Sequence, residues 1–257
     1  MGILNVTPDS FHDGGQFIST DSAIKQVEKM MADGADIIDI GAQSTRPNAK
    51  FISANEEWNR LENIIPVIRK SFPKAVLSVD TFWSTVAQKA VDSGIDIIND
   101  ISAGSMDKEM FTTIAMLNVP YILMHMQGTP QNMQVNPTYT NVMADVIKEL
   151  SIKIHELRQL GMNDIIVDPG FGFGKTTEHN YELLKNLGAL SMLELPVLVG
   201  VSRKSMINRV LKTKPAEALN GTTTLHAFAL DRGVNILRVH DVKEAKEVVS
   251  LYKTMMA

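Results

Sequence analysis

Short apolar runs alternate with amphipathic stretches along the whole chain. The runs are Gly2–Val6, Asp36–Gly41, Val76–Asp80, Asp96–Asp100, Tyr121–His125, Ile165–Asp168, Val197–Ser202 and Ile236–His240. Each is rich in Ile, Val and Leu and almost continuous, as strands buried on both faces are. Between them lie helical patterns. One sets Ala23, Val27, Met30 and Met31 on a single face, and the last sets Ala245, Val248, Val249 and Tyr252 on another. Asp241 and Glu244 have the spacing of an N-cap pair for that last helix. Pro66 interrupts the second helical pattern, which predicts a kink or a displaced helix there.

Eight strand–helix alternations predict parallel pairing with right-handed crossovers, and eight is the number that closes a (β/α)8 TIM barrel. An open doubly wound sheet is the alternative. The chain has 257 residues, the size of one such barrel, and no linker or low-complexity tract divides it. One catalytic domain over residues 1–257 is expected.

Composition narrows the chemistry. Hydrophobic residues make up 44% and charged residues 21%, the balance of a globular protein. A formal net charge of -4 argues against a nucleic-acid partner bound through bulk charge. Absence of cysteine removes disulfides, thiolate zinc sites and cysteine nucleophiles, and it fits a reducing compartment. No run approaches the roughly 20 apolar residues of a membrane span, and the first residues lack the basic stretch and apolar core of a secretory leader. A cytoplasmic protein without a membrane partner is expected.

Each apolar run ends in residues that strands usually avoid: Asn5, Asp39, Asp80, Asn99 with Asp100, His125, Asp168, Ser202, and Arg238 with His240. In a barrel these ends meet at one mouth, where catalytic groups sit. Any one of them alone reads as a turn residue or a helix cap, and Asp100 and Asp241 suit that role. A ring that includes Arg and His points to a site.

The loops add further candidates. Residues 5–15 form a long first loop rich in Gly and Asp, with the length of a lid. The second contains Ser44-Thr45-Arg46-Pro47, where Arg46 can fork onto a phosphate or carboxylate or lie at the surface. The segment Asp168-Pro169-Gly170-Phe171-Gly172-Phe173-Gly174-Lys175-Thr176 resembles two phosphate loops and matches neither. Its glycines fit a close backbone approach to a flat ligand or to a neighbouring loop. Ser202-Arg203-Lys204-Ser205 opens a helix whose first amides favour an anion. Arg238 and His240, two apart on the last strand, face one side and form a positive corner. His155, His179 and His226 fall in helical patterns without metal-ligand spacing.

Taken in order, Asn5-Val6-Thr7-Pro8-Asp9-Ser10-Phe11, Ser44-Thr45-Arg46-Pro47, Ser78-Val79-Asp80-Thr81, Ile98-Asn99-Asp100, Leu123-Met124-His125, Asp168-Pro169-Gly170, Ser202-Arg203-Lys204 and Arg238-Val239-His240 resemble the dihydropteroate synthase family across essentially the whole chain. The resemblance implies a TIM barrel, Mg2+, a homodimer and a transferase reaction of folate biosynthesis. In that reaction, 6-hydroxymethyl-7,8-dihydropterin diphosphate and 4-aminobenzoate give 7,8-dihydropteroate and pyrophosphate. It implies that Asp80, Asn99, Met124, Asp168 and Lys204 hold the pterin. Asn5, Arg238 and His240 are implied to hold the diphosphate, with Asn5 also at the metal. Phe11, Thr45, Arg46, Pro47, Phe173, Ser202, Lys204 and Ser205 are expected at the aminobenzoate side. Asp80, Asp168, Lys204, Arg238 and His240 are the expected catalytic set. His12 and Asn48 depart from the family's usual serine and glycine. Sulfonamides are expected to mimic 4-aminobenzoate. Two alternatives share parts of this pattern. A pterin-binding methyltransferase barrel needs neither the first loop nor the diphosphate corner, and a non-catalytic pterin-binding protein needs no turnover.

Overall fold

The computed structural model describes residues 1–7, 20–43 and 51–257. Eight strands alternate with helices: β1 Gly2–Asn5, β2 Ile37–Gly41, β3 Val76–Asp80, β4 Ile97–Asp100, β5 Tyr121–Met124, β6 Ile165–Asp168, β7 Leu198–Val199 and β8 Ile236–Leu237. The helices are α1 Thr20–Ala32, α2 Ala54–Leu61, α3 Ile65–Ser71, α4 Ser84–Asp92, α5 Met110–Leu117, α6 Val142–Gln159, α7 Thr177–Lys185, α8 Ser205–Leu211, α9 Leu219–Asp231 and α10 Val242–Met256. All eight expected strands form, although the last two are shorter than their apolar runs.

Strands β1 to β6 pair in parallel in sequence order, and β7 pairs with β8. Two further parallel bridges, Val167 with Val197 and Gly2 with Val239, join these sheets into a ring. Hydrogen bonds complete the second seam, from Ile3 N to Val239 O (3.0 Å) and from Val239 N to Met1 O (2.9 Å). The open sheet is thereby ruled out.

Strand alternation divides the core into two layers. Odd-numbered β2 residues and even-numbered β3 residues face the barrel axis. Met1, Ile97, Ile122 and Leu198 form a buried plug low in the barrel, with Ile37, Ile166 and Ile236 packed on it. The opposite strand faces join the larger cluster under the helices, which includes Ile38, Ile40, Leu77, Val79, Ile98, Leu123 and Val167.

The helical expectations hold with local corrections. Ala23, Val27 and Met30 are buried, whereas Met31 is exposed at the edge of the face. Ala245 is buried, and Val248, Val249 and Tyr252 pack against the core. Pro66 kinks nothing: the pattern splits into α2 and α3, with Pro66 in the first turn of α3, where it removes no helical hydrogen bond. Asp241 precedes α10 but does not cap it, because its carboxylate is occupied by Arg203 (2.8 and 2.5 Å).

Candidate active site

The strand register assembles the site. Asn5 lies level with Gly41, Gly41 with Asp80, and Asp80 with Asn99, across four neighbouring strands. Further round, Met124 is level with Asp168. Gly41 leaves a gap in this level: a side chain there would sit 3.7 Å from Asn5 Oδ1 and 3.9 Å from Asp80 Oδ2.

Asp39 is fully buried just below that level, and it organises the cation. It accepts from Ser78 Oγ (2.7 Å), Asn99 Nδ2 (3.1 Å) and Arg238 Nε (2.6 Å). Arg238 also donates from Nη2 to Asp80 Oδ2 (2.9 Å). Burial works against its charge, but Asp39 and Asp80 raise its pKa further above the ordinary guanidinium range. Burial raises the Asp80 carboxyl too, and Arg238 opposes that rise. The guanidinium has five N–H donors, and these two bonds leave others to meet a phosphate.

Asp168, at the end of β6, and Lys204, at the start of α8, face this group. Burial raises the Asp168 pKa, chiefly opposed by Lys204. Burial lowers Lys204 to about 8, with Asp168 holding it up and Arg238 pushing it further down. Lys204 Nζ donates to Phe171 O and lies 4.7 Å from the centre of the Phe173 ring. Asp168 Oδ1 accepts from Gly170 N (2.7 Å), which ties the carboxylate to the glycine-rich loop. An apolar patch of Phe82, Ile101 and Met124 lies buried among Phe51, Trp83, Met106, Met126 and Phe173. A flat, partly polar ring system matches such a surface.

Ser202 and His240 meet at the β7–β8 corner, with Ser202 Oγ 3.0 Å from His240 Nδ1. Ser205 is exposed at the start of α8, a helix of only seven residues whose N-cap, Lys204, makes no capping bond. Phe11, Thr45, Arg46 and Pro47, with His12 and Asn48, lie outside the described residues.

Two residues of the expected ring turn the other way. Asp100 faces the helix layer, accepting from Tyr121 Oη (2.6 Å), Ser102 N (2.7 Å) and Gly104 N (2.8 Å). His125 is also buried on that side, between Lys175 and Glu149 of α6. Each follows an inward residue, so strand alternation sends it outward.

From sequence, Asp39 reads only as a polar strand end and Lys175 only as part of the glycine-rich segment, and nothing singles out Glu57. Glu57 of α2 is fully buried with its carboxyl facing Thr81, beside Asp80, and neither oxygen completes a hydrogen bond among the described residues. Burial pushes its pKa up to about 8. Its acidic place in a first helical turn looks like ordinary dipole compensation, so only the tertiary packing reveals it. Among the described residues no cluster of three or more His, Asp or Glu could hold a metal.

Residues 1–240 match the family model described as pterin binding enzyme. The chain is 44% identical to the dihydropteroate synthase of Haemophilus influenzae, over 98% of this chain and 92% of that protein. Its fold superposes on the Yersinia pestis dihydropteroate synthase in a sulfonamide drug complex, with TM-score 0.94 and 40% identity over 99% of this chain and 93% of that one. The Xanthomonas albilineans dihydropteroate synthase with 4-aminobenzoic acid superposes with TM-score 0.93 and 37% identity, over 100% of this chain and 92% of the other. The chain belongs to the pterin-binding enzymes, in the dihydropteroate synthase family.

Proposed function

We propose that the protein joins 6-hydroxymethyl-7,8-dihydropterin diphosphate to 4-aminobenzoate, forming 7,8-dihydropteroate and pyrophosphate. The observation that carries this reading is the placement of two buried carboxylates, Asp80 and Asp168, and one lysine beside an apolar patch, with Arg238 at its edge. A pterin edge offers paired N–H donors, which Asp168 accepts while Met124 packs on the ring face. Asp80, Asn99 and Lys204 complete the polar rim.

The diphosphate lies toward Asn5, Arg238, His240 and Ser202. The Asn5 amide oxygen beside the Gly41 gap suits Mg2+, which takes few protein oxygens and keeps waters and phosphate ligands. When bound, Mg2+ neutralises charge on the diphosphate. Arg238 shares that task, because its positive charge is held in place by Asp39 and Asp80 before substrate arrives. The bond from the pterin methylene carbon to the diphosphate oxygen then breaks, and its electron pair leaves with pyrophosphate. The arylamine nitrogen bonds to that carbon and afterwards releases a proton to solvent. Phe173, Lys204 and Ser205 line the arylamine side, and the family resemblance implies the same role for Phe11, Thr45, Arg46 and Pro47, which lie outside the described residues.

We extend the proposal to a homodimer and a cytoplasmic location. Val210 and Leu211 of α8 and Phe228 of α9 are exposed on helices that pack together through Gly221, which supports a subunit contact there. No described helix is long and apolar enough to cross a membrane. The reaction is tested by pyrophosphate release. It requires both substrates if the proposal is right, and release with the pterin diphosphate alone at the same rate counts against it.

A further inference from the structure

We propose that Lys175 is a positioning residue for the arylamine half of the reaction, acting through the backbone of residues 170–174 and linked by His125 to Glu149. The inference rests on the reading of Phe173 as part of the aminobenzoate wall.

Lys175 is almost completely buried yet has no place among the substrate-facing groups. Its Nζ lies 2.9 Å from His125 Nδ1, 3.0 Å from Gly170 O and 3.1 Å from Phe173 O. An ammonium has three hydrogens, and these are three acceptors. His125 Nδ1 accepts in this arrangement, so the ring proton resides on Nε2. That nitrogen is 3.1 Å from Glu149 Oε2, at ion-pair distance but off the hydrogen-bond line.

The same loop is held at every other carbonyl. Phe171 O accepts from Lys204, Gly172 O from Gln134 Nε2 (2.7 Å) and Gly174 O from Tyr139 Oη (2.8 Å). Lys175 takes two of the five carbonyls from 170 to 174, including that of Phe173 itself. Lys204 takes that of Phe171, one of the two between them. A shift of this backbone therefore moves the Phe173 ring and the Lys204 ammonium together.

The relay is sensitive to charge. Burial pushes Lys175 down to about 7, while Asp168 of β6 and Glu149 of α6 hold it up and Lys204 pushes it further down. His125 of β5 is also lowered by burial, against the support of Glu149. The Tyr139 ring lies 5.9 Å from Nζ and adds a neutral face. Loss of the Lys175 proton leaves two hydrogens for three acceptors, so either a loop carbonyl is given up or the amine lone pair is set against that of His125 Nδ1. The alternative, moving the imidazole proton to Nδ1, turns a lone pair toward Glu149. Either outcome loosens the loop, so arylamine capture weakens as pH rises through about 7.

The test compares Glu149→Gln, Lys175→Met and Phe173→Ala. It measures kcat/KM for 4-aminobenzoate against pH at saturating pterin diphosphate, with KM for each substrate. Glu149 is half exposed, so Glu149→Gln removes the remote charge without opening the core. Its alkaline limb should move to lower pH, on the order of half a unit. Lys175→Met should raise KM for 4-aminobenzoate on the order of tenfold, with KM for the pterin diphosphate changed by less than about twofold. A limb that stays in place in Glu149→Gln overturns the relay, whether or not Lys175→Met folds. Equal changes in both KM values in Lys175→Met overturn the positioning role. If Phe173→Ala leaves KM for 4-aminobenzoate unchanged, the assignment of the wall fails, while the limb shift still reports on the relay.

Discussion

On the side of the mouth formed by β2, β3, β4 and β8, side chains bind side chains: Asp39 joins Ser78, Asn99 and Arg238, and Arg238 joins Asp80. On the side formed by β6 and β7, side chains bind backbone: Lys175, Lys204, Gln134 and Tyr139 hold the carbonyls of a glycine-rich loop. The first construction places charge, on rigid strands, by balancing one buried ion against another. The second places shape, by fixing a segment whose conformation ordinary residues resist. They should therefore fail differently when a single residue is altered.

The largest effect is expected on the loop side. Gly170 has φ +69°, and an added Cβ would meet the His125 carbonyl oxygen at 1.8 Å. Gly170→Ala should lose at least about 3 kcal/mol of stability or fail to fold. Gly161 also has positive φ, +88°, but its Cβ would meet nothing within 4 Å. Gly161→Ala should lose only about 1 kcal/mol, from the backbone alone. Denaturant midpoints for the two variants measure the difference, and equal losses would mean that close approach to His125 does not govern the loop.

The next effect separates charge from shape. Arg238→Ala leaves Asp39 and Asp80 buried without their cation, and should lose roughly 3 kcal/mol of stability. Turnover should also fall at least about 100-fold, because the diphosphate loses its fixed positive partner. Adding Asp39→Asn to that variant should recover part of the stability and none of the turnover. Recovery of both would make Arg238 a structural counter-ion only.

The smallest concerns Glu57 behind the strand side. Its folded pKa of about 8 stands above its unfolded value of 4.5, so the folded state binds more protons between those limits. Stability is fullest below pH 4.5 on this account and is lost as pH rises through about 8. Glu57→Gln should flatten that decline and raise Tm near pH 9 by about 3 °C, equivalent to roughly 1 kcal/mol. Thermal melts from pH 5 to 9 check it, and parallel slopes for the two proteins would remove Glu57 as the cause.

The two sides also differed in how far the sequence disclosed them. Strand ends such as Asn5, Asp80, Asn99, Asp168 and Arg238 stood out because polar residues closing apolar runs are a local signal. Their gathering followed from parallel closure, which the eightfold pattern also disclosed. Asp39 was visible as a strand-end carboxylate, but its partner Arg238 is 199 positions away. Lys175 showed only as one residue of a glycine-rich segment, and its partner His125 is 50 positions away. Local spacing carries no information about such pairings. It also misplaced His125, which follows the inward Met124 and so faces the other side, whereas Asp100 fills the turn role read for it by accepting from Ser102 N and Gly104 N. Asp241 had the spacing of a cap, but Arg203 offers two charge-assisted bonds that outcompete a backbone amide.

The glycine-rich loop finally bears on how these enzymes can be recombined. Gln134 and Tyr139, which grip Gly172 and Gly174, lie on the segment between β5 and α6, and an added Cβ on Gly174 would lie 2.3 Å from the Gln127 carbonyl of the same segment. Residues 126–139 and 169–175 thus form a single inheritable unit. A chimera that imports one stretch without the other should misfit at their seam. A graft intended to change which arylamine is accepted has to carry both.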